Sequence, residues 1–282
     1  MIIFKKIVEF KNYLRKLKNK KKKIGFIPTM GALHDGHFSL ISRSISENDL
    51  SIISIFINPT QFNNQNDLFS YPSDLKKDIN SLKIISENLI LFNPSSEEIY
   101  SGNIVSNVFS FGGLDKYMEG KFRKNHFQGV ATILQKLFDL VKPDNVYFGE
   151  KDFQQLRIVE YFVSNLGFNL NIIRCKTIRT DDGLALSSRN KKLDISSQKI
   201  ATNLFKALNF VKENFDTLNF EKIYNKVRHF LSEFSEIKIE YFIIADEKDL
   251  KPIKTKDKNK KYRAFIAADV SGVRLIDNIK LY

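Results

Sequence analysis

Four polar clusters in this chain follow directly on apolar runs, and each carries side chains suited to handling phosphate or a small polar acid. The first is Pro28-Thr29-Met30-Gly31-Ala32-Leu33-His34-Asp35-Gly36-His37. Small residues let the backbone approach a ligand, a helix N-terminus favours an anion, and two imidazoles three positions apart can face one phosphate. Histidine donates a hydrogen bond as a neutral ring and adds charge when protonated. Taken alone, the pair divides evenly between a functional reading and a purely structural one on the surface or in the core. A zinc site is a weaker option, because only His126 and His229 remain as further imidazoles and no cysteine cluster supports them.

The second cluster is Asn58-Pro59-Thr60-Gln61-Phe62, where Gln61 offers the donor and acceptor needed to hold a hydroxyl and a carboxylate. On its own it would read as a plain turn. The third is Gly149-Glu150-Lys151-Asp152, followed by Gln154 and Gln155. Lys151 supplies positive charge for leaving phosphates, and Asp152 can accept from ribose hydroxyls or orient the lysine, against the alternative of a solvated charge cluster. The fourth is Leu186-Ser187-Ser188-Arg189, whose hydroxyls and guanidinium suit a polyphosphate clamp. Neither a Walker-type phosphate loop nor the three-glycine dinucleotide fingerprint occurs, so a bound nucleotide needs another scheme.

Positioning these clusters requires elements that end where they begin. Apolar runs of strand length at residues 24–28, 50–57, 89–92, 145–148 and 169–175 alternate with helical periodicity, the pattern of a parallel sheet flanked by helices. Pro59 stops the second run. A helix begins near Gly36, and another spans 130–141 with Ile133, Leu134, Leu137, Phe138 and Val141 on one face before Pro143. A third carries Leu156, Val159, Phe162, Val163 and Leu166 and closes at Gly167. In such a sheet, ligands bind beyond the carboxyl ends of the strands, where the clusters lie. Beyond about Lys176 come two helical stretches and then strands at 237–245, 262–270 and 273–281, with a turn at Gly272. The expected fold class is α/β: a doubly wound, Rossmann-like domain over residues 1–176, followed by a smaller α+β domain over 177–282 that closes over the site.

The 282 residues, 43% of them hydrophobic, are enough for a substantial core. A net charge of +13 raises the question of a polyanionic partner, but the excess is mostly Lys diffused along the chain. The dense run at 16–23 reads as a solvated helix end and turn. Ile3, Ile7, Phe10, Leu14 and Leu17 recur at helical spacing, which reads as an amphipathic surface helix and not as a targeting segment. No stretch reaches the roughly 18 apolar residues of a membrane span. Cys175 is the one cysteine, so an intrachain disulfide is excluded and a reducing, cytoplasmic setting is consistent.

Taken in order, the four clusters resemble the pantothenate synthetases, the pantoate–β-alanine ligases. His34-Asp35-Gly36-His37 has the form of the nucleotide-binding motif of the wider nucleotidyltransferase superfamily. Further matches are Ile57-Asn58-Pro59-Thr60-Gln61-Phe62, His126-Phe127-Gln128-Gly129-Val130, residues 146–156, Asp182-Gly183-Leu184-Ala185-Leu186-Ser187-Ser188-Arg189-Asn190 and Arg274-Leu275-Ile276-Asp277-Asn278. The resemblance spans essentially the whole chain. It departs at Ser73, Ser101 and Lys124-Asn125, where arginine, proline and a proline-containing pair are common, all in expected surface loops.

The resemblance implies that ATP is held by Met30, Gly31, Ala32, Leu33, His34, Asp35, Gly36, His37, Gly149, Glu150, Lys151, Asp152, Ile178, Leu186, Ser187, Ser188 and Arg189. His37 would be a proton donor, acting with His34 and Lys151. Gln61 would contact pantoate and β-alanine, Gln155 would hold pantoate, and Mg²⁺ would arrive with ATP. It also implies a homodimer. One rival reading is a superfamily member that transfers AMP to a phosphorylated acceptor, which Gln61, Gln155 and the C-terminal domain argue against. A nucleic-acid-binding role predicts basic residues interleaved with exposed aromatics on one face, and the sequence shows no such pattern.

Overall fold

The computed structural model describes every residue except Asn19, Lys20 and Asn63, so the middle of the basic run at 16–23 lies outside the described residues. The chain runs β1 (Ile2–Phe4), α1 (Ile7–Lys18), β2 (Ile24–Thr29), α2 (Asp35–Glu47), β3 (Leu50–Ile55), α3 (Gln65–Phe69), α4 (Leu75–Ile85), β4 (Ile90–Phe92), α5 (Ser96–Tyr100) and α6 (Met118–Phe122). It continues with α7 (His126–Val141), β5 (Asn145–Gly149), α8 (Phe153–Asn165), β6 (Asn171–Cys175), α9 (Ile195–Asn214), α10 (Phe220–Ser232), β7 (Ile237–Asp246), β8 (Tyr262–Val270) and β9 (Val273–Lys280). By backbone contacts there are two compact units. The first is Met1–Phe111, Arg123–Glu150 and Ile158–Lys176; the second is Gly112–Phe122, Lys151–Arg157 and Thr177–Tyr282.

The first unit is built on a six-stranded sheet in the order β1-β4-β3-β2-β5-β6, with every pairing parallel. Parallel strands covered on both faces read as continuous apolar runs, and Phe26, Ile27, Ile52, Ile53, Leu91 and Val146 are accordingly fully buried. This is the doubly wound architecture expected. Its edge differs from expectation, because Ile3 does not belong to the N-terminal helix. Residues 2–4 form a parallel edge strand with Ile3 beside Leu91, and the helix starts at Ile7 with Phe10 and Leu14 turned inward. Three apolar residues are too few to reveal a period, and pairing with β4 decided between strand and helix. The run expected at 50–57 ends at Ile55 as β3, and α7 begins at His126, ahead of residue 130.

In the second unit, β7, β8 and β9 form an antiparallel sheet. Leu204, Leu208 and Val211 of α9 and Ile223, Val227 and Leu231 of α10 share a core with Ile244, Ala264, Ile266 and Leu275 on one sheet face. Side chains on neighbouring strand positions point to opposite faces, so Tyr241, Phe265 and Arg274 occupy the other. There Glu119 of α6 accepts two hydrogen bonds from Arg274, at 2.8 and 2.7 Å, and one from the Tyr241 hydroxyl at 2.8 Å. Ser73, Lys124 and Asn125 are exposed, as expected of surface loops, and Ser101 closes α5 in an exposed left-handed conformation.

Candidate functional site

In the first unit, β2 and β5 are neighbours, and the strands that follow each are laid down toward opposite edges. This is a topological switch point, where the carboxyl ends of adjacent strands leave a crevice. β2 ends at Thr29, and the chain then takes left-handed conformations at Gly31 (φ +83°) and Ala32 (φ +51°). Ala32 tolerates this because the loop is tied down. The N–H groups of Ala32 and Leu33 donate to the two carboxylate oxygens of Asp78, at 2.9 and 2.8 Å, and Gly31 N–H donates to Thr29 Oγ1 at 3.2 Å. Asp78 is 3% exposed, so these bonds are sheltered from water. Leu33 turns into the core beside Ile27 and Ile41.

The loop delivers His34 as the N-cap of α2. Its carbonyl accepts from His37 N–H at 2.8 Å and Phe38 N–H at 3.0 Å, and its Nδ1 accepts from Gly36 N–H at 3.2 Å. With Nδ1 an acceptor, the neutral ring carries its proton on Nε2. The His37 ring lies 4.1 Å away between centroids. The three-position spacing therefore brings the two imidazoles together at the positive end of a helix.

Gln61 ends a short 3-10 turn, Pro59–Gln61, and is 8% exposed. Its Nε2 donates to Met30 Sδ at 2.7 Å, which joins the second cluster to the first. Its Oε1 accepts from Asn58 Nδ2 at 3.2 Å, and the same Nδ2 donates to Gly129 O at 3.1 Å. Asn58 Oδ1 accepts from the Tyr100 hydroxyl at 2.5 Å; burial pushes that phenol's pKa up and keeps it a donor. Because Gln61 O can only accept, His126 donates from Nδ1 at 2.7 Å and leaves Nε2 to accept from Arg123 at 3.3 Å. His126 is thus a strut beneath Gln61. α7 approaches this turn so closely that a Cβ on Gly129 would lie 2.2 Å from Thr60 O.

Gly149 ends β5 opposite Cys175, and Glu150 follows it in the first unit. In the second unit, Lys151 and Asp152 complete a 3-10 turn, with Lys151 Nζ 3.5 Å from Asp152 Oδ1 and its side chain 17% exposed. Gln155 is half-buried on α8. Its neighbour Gln154 is structural: it donates to Leu114 O and Tyr117 O at 2.8 Å and accepts from Glu119 N–H at 2.9 Å. Ile178 and Leu186 face each other across a hairpin, with Leu186 N–H donating to Ile178 O at 3.0 Å. Arg179 holds that hairpin through two bonds to Asp277, at 2.6 and 2.8 Å, and one to Gly183 O at 3.0 Å. Ser187 then caps a 3-10 turn that carries Ser188 and Arg189, and the side chain of Asn190 closes a reciprocal capping box.

Residue types alone did not reveal Asp78 or the Arg179–Asp277 pair. A signal for Asp78 exists: it stands among Leu75, Ile79 and Leu82 at helical spacing, an acid on an apolar stripe. Among the described residues, no group of three His, Cys, Asp or Glu side chains is arranged to hold a metal, and no helix is long and apolar enough to cross a membrane.

The model of the pantoate-beta-alanine ligase family matches residues 2–280. A pantothenate synthetase of Flavobacterium psychrophilum is 45% identical over 281 residues, covering 100% of each chain, and one of Christiangramia forsetii is 44% identical over 268 residues, covering 95% of each. Among solved structures, the pantothenate synthetase of Thermus thermophilus superposes with a TM-score of 0.92 at 35% identity, covering 100% of both chains. A pantoate-beta-alanine ligase from Francisella tularensis, complexed with beta-gamma ATP and beta-alanine, gives a TM-score of 0.82 at 39% identity, covering 100% of this chain and 98% of that one.

Proposed function

The chain belongs to the pantoate–β-alanine ligase family, and from that premise we propose that it condenses (R)-pantoate with β-alanine, converting ATP to AMP and pyrophosphate through a pantoyl adenylate. A carboxylate is a poor acyl donor, because its charge repels nucleophiles and oxide is a bad leaving group. Adenylation removes both obstacles. A carboxylate oxygen of pantoate attacks the α-phosphorus, the bond to the bridging oxygen breaks, and pyrophosphate leaves. The β-alanine amine then attacks the acyl carbonyl, loses a proton, and expels AMP.

One observation carries this reading: Gln61 Nε2 lies 2.7 Å from Met30 Sδ. The group assigned to the acid substrate adjoins the loop assigned to ATP, as a carboxylate attacking the α-phosphate requires. We assign Met30, Gly31, Ala32, Leu33, His34, Asp35, Gly36 and His37 to the nucleotide, together with Gly149, Glu150, Lys151, Asp152, Ile178, Leu186, Ser187, Ser188 and Arg189. Ala32 and Leu33 serve through backbone shape, since their N–H groups are committed to Asp78. His34, His37 and Lys151 stabilise charge on the departing pyrophosphate, with His37 the proton donor. Gln61 and Gln155 orient pantoate, and Gln61 also meets β-alanine. Mg²⁺ enters as part of the MgATP substrate. Positioning two bound reactants can supply on the order of 7 kcal/mol, which suits a site of glutamines and imidazoles. A cytoplasmic homodimer completes the proposal.

The test is AMP release from pantoate, ATP and Mg²⁺ with and without β-alanine. AMP release that requires both pantoate and β-alanine supports the ligase; AMP transfer to a phosphorylated acceptor would replace it with the rival chemistry.

A further inference from the structure

We propose that Asn278 is a positioning residue for Lys151, holding the turn from which the ammonium reaches its phosphates; this rests on the role assigned to Lys151 above. Asn278 lies on β9 and is 4% exposed. Its Nδ2 donates to the Lys151 carbonyl at 2.7 Å, across 127 positions of sequence. Its Oδ1 accepts from Arg263 Nη1 at 2.6 Å. Arg263 is itself fixed: Nε donates to Glu247 Oε1 at 2.8 Å, and the guanidinium carbon stands 3.8 Å from the centroid of the Phe153 ring. Both ends of the Asn278 amide are therefore engaged, one on a clamped guanidinium and the other on the residue that carries the proposed charge.

The target is a three-residue 3-10 turn, Glu150–Asp152, a form with poorer hydrogen-bond geometry than an α-helix. Its shape depends on what grips it from outside. Lys151 extends from the gripped backbone on a four-carbon stem, so a small rotation of the peptide displaces the ammonium. A shift of about 1 Å in a positioned group can cost roughly 10²-fold in rate. β9 thus acts on the chemistry through a carbonyl, without its own side chain meeting substrate.

Asn278→Asp tests this cleanly. The aspartate is isosteric and still accepts from Arg263, but it offers the Lys151 carbonyl an oxygen in place of a donor. Steady-state kinetics would be measured for Asn278→Asp, Lys151→Ala and the double variant, alongside thermal unfolding. The expected result is a kcat lower by roughly 10²-fold in Asn278→Asp, with KM for β-alanine unchanged and the double variant no slower than Lys151→Ala alone. Should Asn278→Asp fold poorly, Asn278→Ala replaces it, with kcat expressed per folded molecule from near-ultraviolet circular dichroism. Wild-type turnover in the Asn278 variants, or losses that multiply independently in the double variant, would overturn the inference. A Lys151→Ala enzyme with normal turnover would instead remove the Lys151 role itself, and the inference with it.

Discussion

At the scale of single residues, the candidate site depends on groups that never need to meet a ligand. Asp78 takes two N–H groups with its two oxygens, so Asp78→Asn leaves one donor facing an amide NH₂. That exchange should cost about 1–3 kcal/mol and raise KM for ATP as the left-handed loop relaxes, measurable by urea unfolding and initial rates. Gly129→Ala should be worse for the acid substrate. Its methyl group would collide with Thr60 O, so we expect about 1–3 kcal/mol of destabilisation and a raised KM for pantoate as Gln61 is pushed out of place. A variant as stable and active as the parent would show that the turn yields freely. The residues proposed to carry the chemistry, His34, His37, Gln61 and Lys151, stood out by type and spacing, but only the family resemblance gave them roles. Their supports were less so, because Asp78 and Asn58 act through partners distant in sequence.

At the scale of elements, periodicity located nearly every strand and long helix, since burial on a sheet or helix face leaves a repeat that sequence displays. It failed at the short pieces. β1 was absorbed into a helix, and α3, α5 and α6, each five residues long, are too brief to show a period. The hairpin at 178–186 leaves no period in the sequence, because what shapes it is an arginine reaching a strand 98 positions later. Asp277 is 5% exposed, and Asp277→Asn leaves Arg179 one side-chain acceptor there, an NH₂ in place of the other, and no opposite charge. Breaking a buried pair of this kind costs about 3–5 kcal/mol. We expect loss of that order in denaturant unfolding, with a raised KM for ATP because Ser187, Ser188 and Arg189 follow directly from the hairpin. Unchanged ATP kinetics in a destabilised variant would separate the hairpin from nucleotide binding.

For the molecule as a whole, alkaline conditions should be limiting. Burial and the nearby Glu47 push the Tyr147 phenol up to about 12, and burial with Glu119 holds Tyr241 well above its ordinary 10.0. Above pH 10 the unfolded chain sheds these protons while the folded protein keeps them, so stability falls as pH rises through that window and is fully present below it. Unfolding midpoints from pH 9 to 12 should decline, and Tyr147→Phe should flatten the decline; a slope unaltered in that variant would assign the loss to other groups. A change in patterning near Lys176 suggests a division of the chain, but which segments join which unit follows from long-range contacts that no local pattern records. One such contact bears on how the protein is made. Lys151 leaves the ribosome well before Asn278, and at typical elongation rates of about 5–20 residues per second the wait is on the order of ten seconds. On the role proposed for Asn278, a nascent chain can through that interval hold a formed parallel sheet and still lack a set lysine, and competence for the reaction would then arrive with β9 and not with the sheet that precedes it.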